Sequence, residues 1–177
     1  MPQTASPPHT PSLPPDTSVG STSPWLAPAP SQEDRARTLR SSVFTIGYEG
    51  RTITQLVDIL ADNGVRTLVD VRLNPISRKP NFSKARLCAA LAEADIDYLH
   101  EPRLGNPKQN RPGYRAGNAS ARLLFLHHMQ QDGAEALSTL EALIPRTPTA
   151  LLCFERDPSA CHRTAVAGRL ASTVVSL

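Results

Sequence analysis

The most constraining stretch of this chain reads Ala150-Leu-Leu-Cys-Phe-Glu-Arg-Asp-Pro-Ser-Ala-Cys-His-Arg-Thr-Ala165. Its apolar first half is long enough for one buried strand and too short for a helix. Asp157 and Pro158 then predict a helix start, because Asp accepts hydrogen bonds from free first-turn amides and Pro suits the first helical position. The strand is placed over residues 149–154 and the closing helix over 158–171. Glu155 falls at the strand's carboxyl end, and Cys161, His162 and Arg163 fall in the first turn and a half of the helix. Open α/β folds place ligands where a strand end faces a helix amino terminus.

The preceding sequence repeats the same alternation. Residues 43–46 form a β-rich run ending at Gly47. Thr52 opens a helical pattern in which Ile53, Leu56, Val57, Ile59 and Leu60 recur at spacings of three and four, stopped by Asn63-Gly64. Residues 67–71 read as a second strand, with Leu68, Val69 and Val71 apolar on both faces, as in a parallel sheet. Asp70 and Arg72 share one face. This is a βαβ unit, which is right-handed almost without exception. A basic loop with two prolines comes next, then a helix capped by Ser83, and a third strand over 96–99 that reaches His100. Residues 101–117 hold three prolines, three glycines and four basic residues, and read as a long functional loop. Two helices over 119–131 and 133–144, the 149–154 strand, the closing helix and a short strand over 173–176 complete the pattern. The predicted fold is a three-layer α/β fold with a mostly parallel sheet of four or five strands flanked by helices.

Composition sets the outer limits. Pro, Ser and Thr make up 19 of the first 31 residues, too little apolar surface to offset chain entropy. Residues 1–41 are therefore read as a disordered tail and charged hinge, and 42–177 as one α/β domain. In the tail, Trp25 and Leu26 are the only bulky pair, either a docking element or inert. Charges up to Arg40 cancel, so the net charge of +3 belongs to the α/β domain. Arginine supplies 16 of 19 basic residues, which favours planar recognition of carboxylate or phosphate. No apolar run approaches bilayer length. Three cysteines without a disulfide pattern suit a reducing cytoplasm.

In a parallel sheet the strand ends would bring together Tyr48, Asp70, Arg72 and Glu155, with His100, Cys161, His162 and Arg163 beside them. The ordered motifs Thr45-Ile-Gly-Tyr48, Leu68-Val-Asp-Val-Arg72, Asn74-Pro-Ile-Ser-Arg78 with Pro80 and Phe82-Ser83, His100 with Leu104-Gly105, Leu151-Leu-Cys-Phe-Glu155 and Cys161-His-Arg163 resemble those of the DUF488 family, a domain of unknown function. The likeness runs over about residues 43–177. It implies a small bacterial or archaeal α/β domain with no settled activity. By position it marks Tyr48, Asp70, Arg72, Ser77, Arg78, His100, Cys153, Glu155, Cys161, His162 and Arg163. Two departures stand out. Asn106 occupies the place of a second glycine common in the family. The chain also ends in Val-Val-Ser-Leu rather than in a strand carrying a histidine.

Glu155, Cys161, His100 and Asp70 are the candidate catalytic residues; Tyr48, Arg72, Ser77, Arg78, His162 and Arg163 are the candidate ligand-binding ones. Arg72, Arg78 and Arg163 can form an oxyanion or phosphate cradle, or pair structurally with Asp70 and Glu155. Glu155 can act as a general acid or base, or neutralise an arginine. A helix start and nearby cations would lower the Cys161 thiol pKa and make it a nucleophile, against a plain packing role. Asp70 either reacts or orients Arg72, and His100 either meets ligand or closes its strand. Ser77 caps a turn more readily than it attacks. Cys153, Cys161 and His162 suit zinc by type, but Cys-x7-Cys-His lacks the short spacings of structural zinc sites, so no metal is assigned. The residues name no cofactor.

Two functions are compatible with this set. One is an enzyme acting on a phosphate-bearing or nucleotide-like substrate. The other is a non-catalytic nucleic-acid-binding module using the same arginines and the 103–115 loop, with salt-dependent affinity. Residues 72–115 hold nine Lys or Arg against four acids, which suits either. The mixture of acid, thiol and imidazole favours the first reading, and the few aromatics count against base stacking in the second.

Overall fold

A computed structural model of the chain describes residue 31 and residues 42–170 and 173–177. The tail, Trp25, Leu26 and the charged hinge fall outside the described residues, apart from Ser31. Five strands, β1 (Ser42–Gly47), β2 (Thr67–Asp70), β3 (Asp97–His100), β4 (Thr149–Cys153) and β5 (Thr173–Ser176), form one sheet in the order β3-β2-β4-β1-β5. All four pairings are parallel. Among the described residues, six helices flank it: α1 (Ile53–Asp62), α2 (Lys84–Ala92), α3 (Arg111–Arg115), α4 (Ala119–Gln131), α5 (Ala134–Leu143) and α6 (His162–Ala167). Among the described residues no helix is long and apolar enough to cross a membrane.

Side-chain alternation along the buried strands produces two cores. Phe44, Ile46, Leu68, Ala150 and Leu152 point to one face, where Leu56 and Leu60 of α1 and Leu87 and Leu91 of α2 cover them. Val43, Val69, Leu151 and Cys153 point to the other, under Tyr114 of α3, Phe125 and Met129 of α4, Leu140 of α5 and Val166 of α6. The topology explains the split. From β1 through β2 to β3 the chain moves one way across the sheet, and from β3 through β4 to β5 it moves back. Crossovers of one hand then put α1 and α2 on one side and α3 to α6 on the other.

Side-chain caps start two of these helices, α1 and α4. Thr52 caps α1 in a capping box: its hydroxyl accepts from the Gln55 amide at 3.1 Å, and the Gln55 side chain accepts from the Thr52 amide at 2.9 Å. Ser83 sits at the N-cap of α2 but makes no side-chain cap bond.

Two predicted segments differ. The stretch 101–117 is not an open loop: it folds into 3₁₀ turns at Pro102–Leu104 and Lys108–Asn110, and then α3. Pro112 lies in the first turn of α3, where its missing N–H costs nothing. The closing helix does not begin at Pro158. Asp157 caps only a 3₁₀ turn, Pro158–Ala160, and Cys161 is extended (φ −114°, ψ 138°) before α6 starts at His162.

Candidate functional site

The parallel register aligns the carboxyl ends of the strands: Gly47 lies opposite Cys153, and Asp70 lies between Leu152 and His100. β4, whose following segment crosses to one face, lies between β1 and β2, whose segments cross to the other. Such a switch in direction opens a crevice at the carboxyl edge. A cavity of about 660 Å³ occupies it. Of the ten predicted site residues, Tyr48, Arg72, Ser77, Arg78, Glu155 and His162 line it, while Asp70, His100, Cys161 and Arg163 do not.

Close backbone contacts shape the rim. A Cβ on Gly47 would stand 1.9 Å from the Glu155 carbonyl oxygen, and one on Gly105 would stand 2.4 Å from the Leu73 amide nitrogen. Both positions therefore exclude side chains, and both hold cavity-forming segments against the sheet edge.

Asp70 is fully buried and organises one wall. It accepts from the Arg72 amide at 3.0 Å, from Arg72 Nε at 2.8 Å and Nη2 at 2.5 Å, and from the Tyr98 hydroxyl at 2.7 Å. Arg72 Nη1 donates to the Tyr48 hydroxyl at 3.1 Å and to the Phe82 carbonyl at 2.9 Å. Burial opposes the Arg72 charge, but the hydrogen bonds and charge of Asp70 outweigh it and hold the guanidinium above its ordinary pKa. Four of the five Arg72 N–H groups thus have protein acceptors. The Tyr48 ring stacks on Phe82 with centroids 4.4 Å apart, and its hydroxyl lies 3.4 Å from Ser77 Oγ. His100 Nε2 bonds the Arg72 carbonyl at 2.9 Å, which closes the strand end.

Glu155 stands on the opposite wall with its side chain 13% exposed, paired with Arg115, whose Nη2 lies 2.6 Å from Oε1. Cys153 Sγ donates to Oε2 at 3.2 Å. Burial works to raise the Glu155 pKa, but hydrogen bonds from its own backbone, Arg115, Cys153 and Cys161 bring it down to about 2. Cys161 is buried. Burial first, and then Cys153, push its thiol up rather than down. The cation expected to favour its thiolate, Arg163, faces elsewhere: fully buried, it donates to the Glu155 and Arg156 carbonyls and holds the segment after β4. His162 Nε2 bonds the Val71 carbonyl at 3.0 Å, and its Nδ1 lies 3.7 Å from Cys153 Sγ. The ligand atoms of Cys153, Glu155, Cys161 and His162 all lie within 4.8 Å of one another.

Three cations on the cavity lining, Lys79, Arg111 and Arg115, were not among the candidate site residues, although the sequence reading assigned the 103–115 segment that holds Arg111 and Arg115 a role in the nucleic-acid alternative. Arg111 and Arg115 are spaced i, i+4, which on a helix puts them on one face. The signal was present, but Pro112 and Gly113 disguised the helix. Lys79 donates to the Tyr48 carbonyl at 3.2 Å, and Arg111 Nε to the Asn106 carbonyl at 3.0 Å. Arg103, counted with these cations in the sequence, is held by Glu101 at 2.7 Å and Glu135 at 2.8 Å.

No curated protein and no solved structure matches this chain. The family model described as "Domain of unknown function DUF488" matches residues 52–170, more than half of the 177 residues, and the matched segment holds every predicted site residue except Tyr48; the chain belongs to the DUF488 family.

Proposed function

We propose that the cavity binds a small phosphate-bearing anion. One observation carries this reading: among the described residues, Arg78, Lys79 and Arg111 line the cavity without a carboxylate partner, whereas Arg72 and Arg115 are neutralised by Asp70 and Glu155. Three uncompensated cations around a concave, partly apolar surface focus a positive potential and draw anions in. The volume of about 660 Å³ suits a nucleotide-sized molecule, since ligand pockets run from roughly 300 to 1,000 Å³. The nucleic-acid reading has less support, because the ion pairs of Arg103 and Arg115 occupy two of the four cations of the 103–115 segment.

The test is calorimetric titration of the full chain with inorganic pyrophosphate and with a single-stranded oligonucleotide. A charge-assisted hydrogen bond contributes about 1.5–3 kcal/mol, so Arg78→Ala and Arg111→Ala are each expected to weaken pyrophosphate binding roughly ten- to hundred-fold. Affinity unchanged in both variants would overturn the proposal, as would tight oligonucleotide binding without any pyrophosphate binding.

A further inference from the structure

We infer that Cys153, Glu155, Cys161 and His162 form a binding site for one divalent cation of the zinc type. The inference goes beyond the anion reading and uses none of Arg78, Lys79 or Arg111.

Geometry comes first. Four ligand atoms of four side chains lie within 4.8 Å of one another at the junction of β4 with α6. In a tetrahedral zinc site with metal–sulfur bonds of about 2.3 Å and metal–nitrogen or metal–oxygen bonds of about 2.0–2.2 Å, ligand atoms sit about 3.6 Å apart. Cys153 Sγ is 3.7 Å from His162 Nδ1 and 3.2 Å from Glu155 Oε2. Closing the set around a cation therefore needs only side-chain adjustment.

The donors are also prepared. A carbonyl oxygen can only accept, so the 3.0 Å contact with Val71 fixes the proton of neutral His162 on Nε2 and leaves the Nδ1 lone pair facing Cys153. Metal-bound histidines are oriented in this way by their second nitrogen. Arg115 holds Oε1 of Glu155 and leaves Oε2 on the cysteine side, the matching arrangement for a ligating carboxylate. Glu155 Oε2, His162 Nδ1 and the two sulfurs thus converge on one point. A cation satisfies all four at once.

Ligand chemistry selects the metal. Two sulfurs, one imidazole and one carboxylate gathered in one cluster suit zinc and disfavour magnesium or calcium, which take oxygen ligands. Binding replaces the two thiol hydrogens, which leave as protons to solvent. Two thiolates, one carboxylate and a divalent cation leave a formal charge of −1, which Arg115 offsets at 2.6 Å.

The full chain, reduced and stripped with a chelator, is titrated with Zn²⁺ against a chromophoric competitor and separately with Co²⁺. One equivalent of zinc is expected to bind, and cobalt is expected to show a thiolate charge-transfer band in the near ultraviolet. Cys153→Ala and His162→Ala should each weaken zinc affinity roughly a hundred-fold or more, beyond the ten- to hundred-fold typical of outer-shell changes. Cys88→Ala should leave it unchanged. If the buried variants fail to fold, the cobalt spectrum of the unaltered chain decides. No stoichiometric uptake, uptake without the thiolate band, or equal affinity in folded Cys153→Ala would overturn the inference. Pyrophosphate titration of the stripped protein reads the anion site separately, so either proposal can fail alone.

Discussion

Replacing Asp70 by Asn asks whether Arg72 is a structural cation. The exchange keeps the side chain's shape and removes its charge. Asp70 is fully buried and accepts four donors: the Arg72 amide, two Arg72 guanidinium nitrogens and the Tyr98 hydroxyl. An Asn amide can accept at one oxygen but points N–H groups at the other, where Arg72 Nη2 also donates. The guanidinium then remains buried beside a neutral group with one bond reversed into a repulsion. Removing one member of a buried ion pair costs about 3–5 kcal/mol. For a fold of this size, each kcal/mol lowers Tm by roughly 3–5 °C, so the expected drop is about 10–20 °C. Tyr98→Phe removes a single bond to the same carboxylate and should cost about 1.5–3 kcal/mol. Urea unfolding followed by far-ultraviolet circular dichroism measures both, because the chain's one tryptophan, Trp25, lies outside the described fold. A loss below about 1 kcal/mol for Asp70→Asn would refute the reasoning. Arg72 would then have solvent or ligand enough to manage without its partner.

Gly47→Ala should displace the segment after β4, because its Cβ meets the Glu155 oxygen at 1.9 Å and the Arg156 Cα at 2.9 Å, all backbone atoms. Overpacking of this kind costs about 1–3 kcal/mol or more, and differential unfolding against Gly50→Ala, whose new Cβ has 3.8 Å of clearance, checks whether the clash exceeds the backbone strain of that control. Glu101 supplies a pH dependence: hydrogen bonds from Arg103, opposed by burial, hold its pKa below the ordinary carboxylate value. Its stabilising contribution is therefore complete above about pH 4.3, the unfolded value, and is lost as pH falls through the lower folded value. The stability gap between the unaltered chain and Glu101→Gln should be flat near neutrality and shrink below about pH 4; a gap that widens in acid would contradict the assignment.

The layered α/β architecture was legible because each buried strand carries its own pattern. Leu68-Val69 and Leu151-Leu152 are apolar on both faces, and Ile53, Leu56 and Leu60 mark one helical stripe. The strand order was not. β1 pairs β4 through Val43 and Thr149, residues too far apart in the chain for any local signal to join. The cavity lining was legible where strand ends supplied it, as at Tyr48, Arg72 and Glu155. It was hidden where a partner came from another segment. Nothing in the spacing of Arg115 points to Glu155, and nothing near Arg163 indicates that it turns to the carbonyls of residues 155 and 156. The expected low-pKa Cys161 failed for a related reason: burial dominates once the neighbouring cation bonds elsewhere.

The spacing argument does not decide the metal question, because the fold brings Cys153, Glu155, Cys161 and His162 together whatever their spacing. Short Cys-x2-Cys spacings are needed when one tight turn must supply two ligands unaided. Here the sheet does that work. β4 ends at Cys153, the segment through Glu155 leaves the sheet, and the 3₁₀ turn at Pro158–Ala160 returns the chain so that extended Cys161 and the first residue of α6 face Cys153. Arg163 ties that return to the Glu155 and Arg156 carbonyls, and Gly47 lets the segment lie against β1. Seven intervening residues are thus folded back by contacts that belong to the fold rather than to the ligands. A parallel sheet edge with a returning helix can assemble a four-ligand cluster from positions whose spacing, read alone, argues against one. The same edge leaves Arg78, Lys79 and Arg111 uncompensated across the cavity, so the two proposals draw on one topological cause while resting on separate residues.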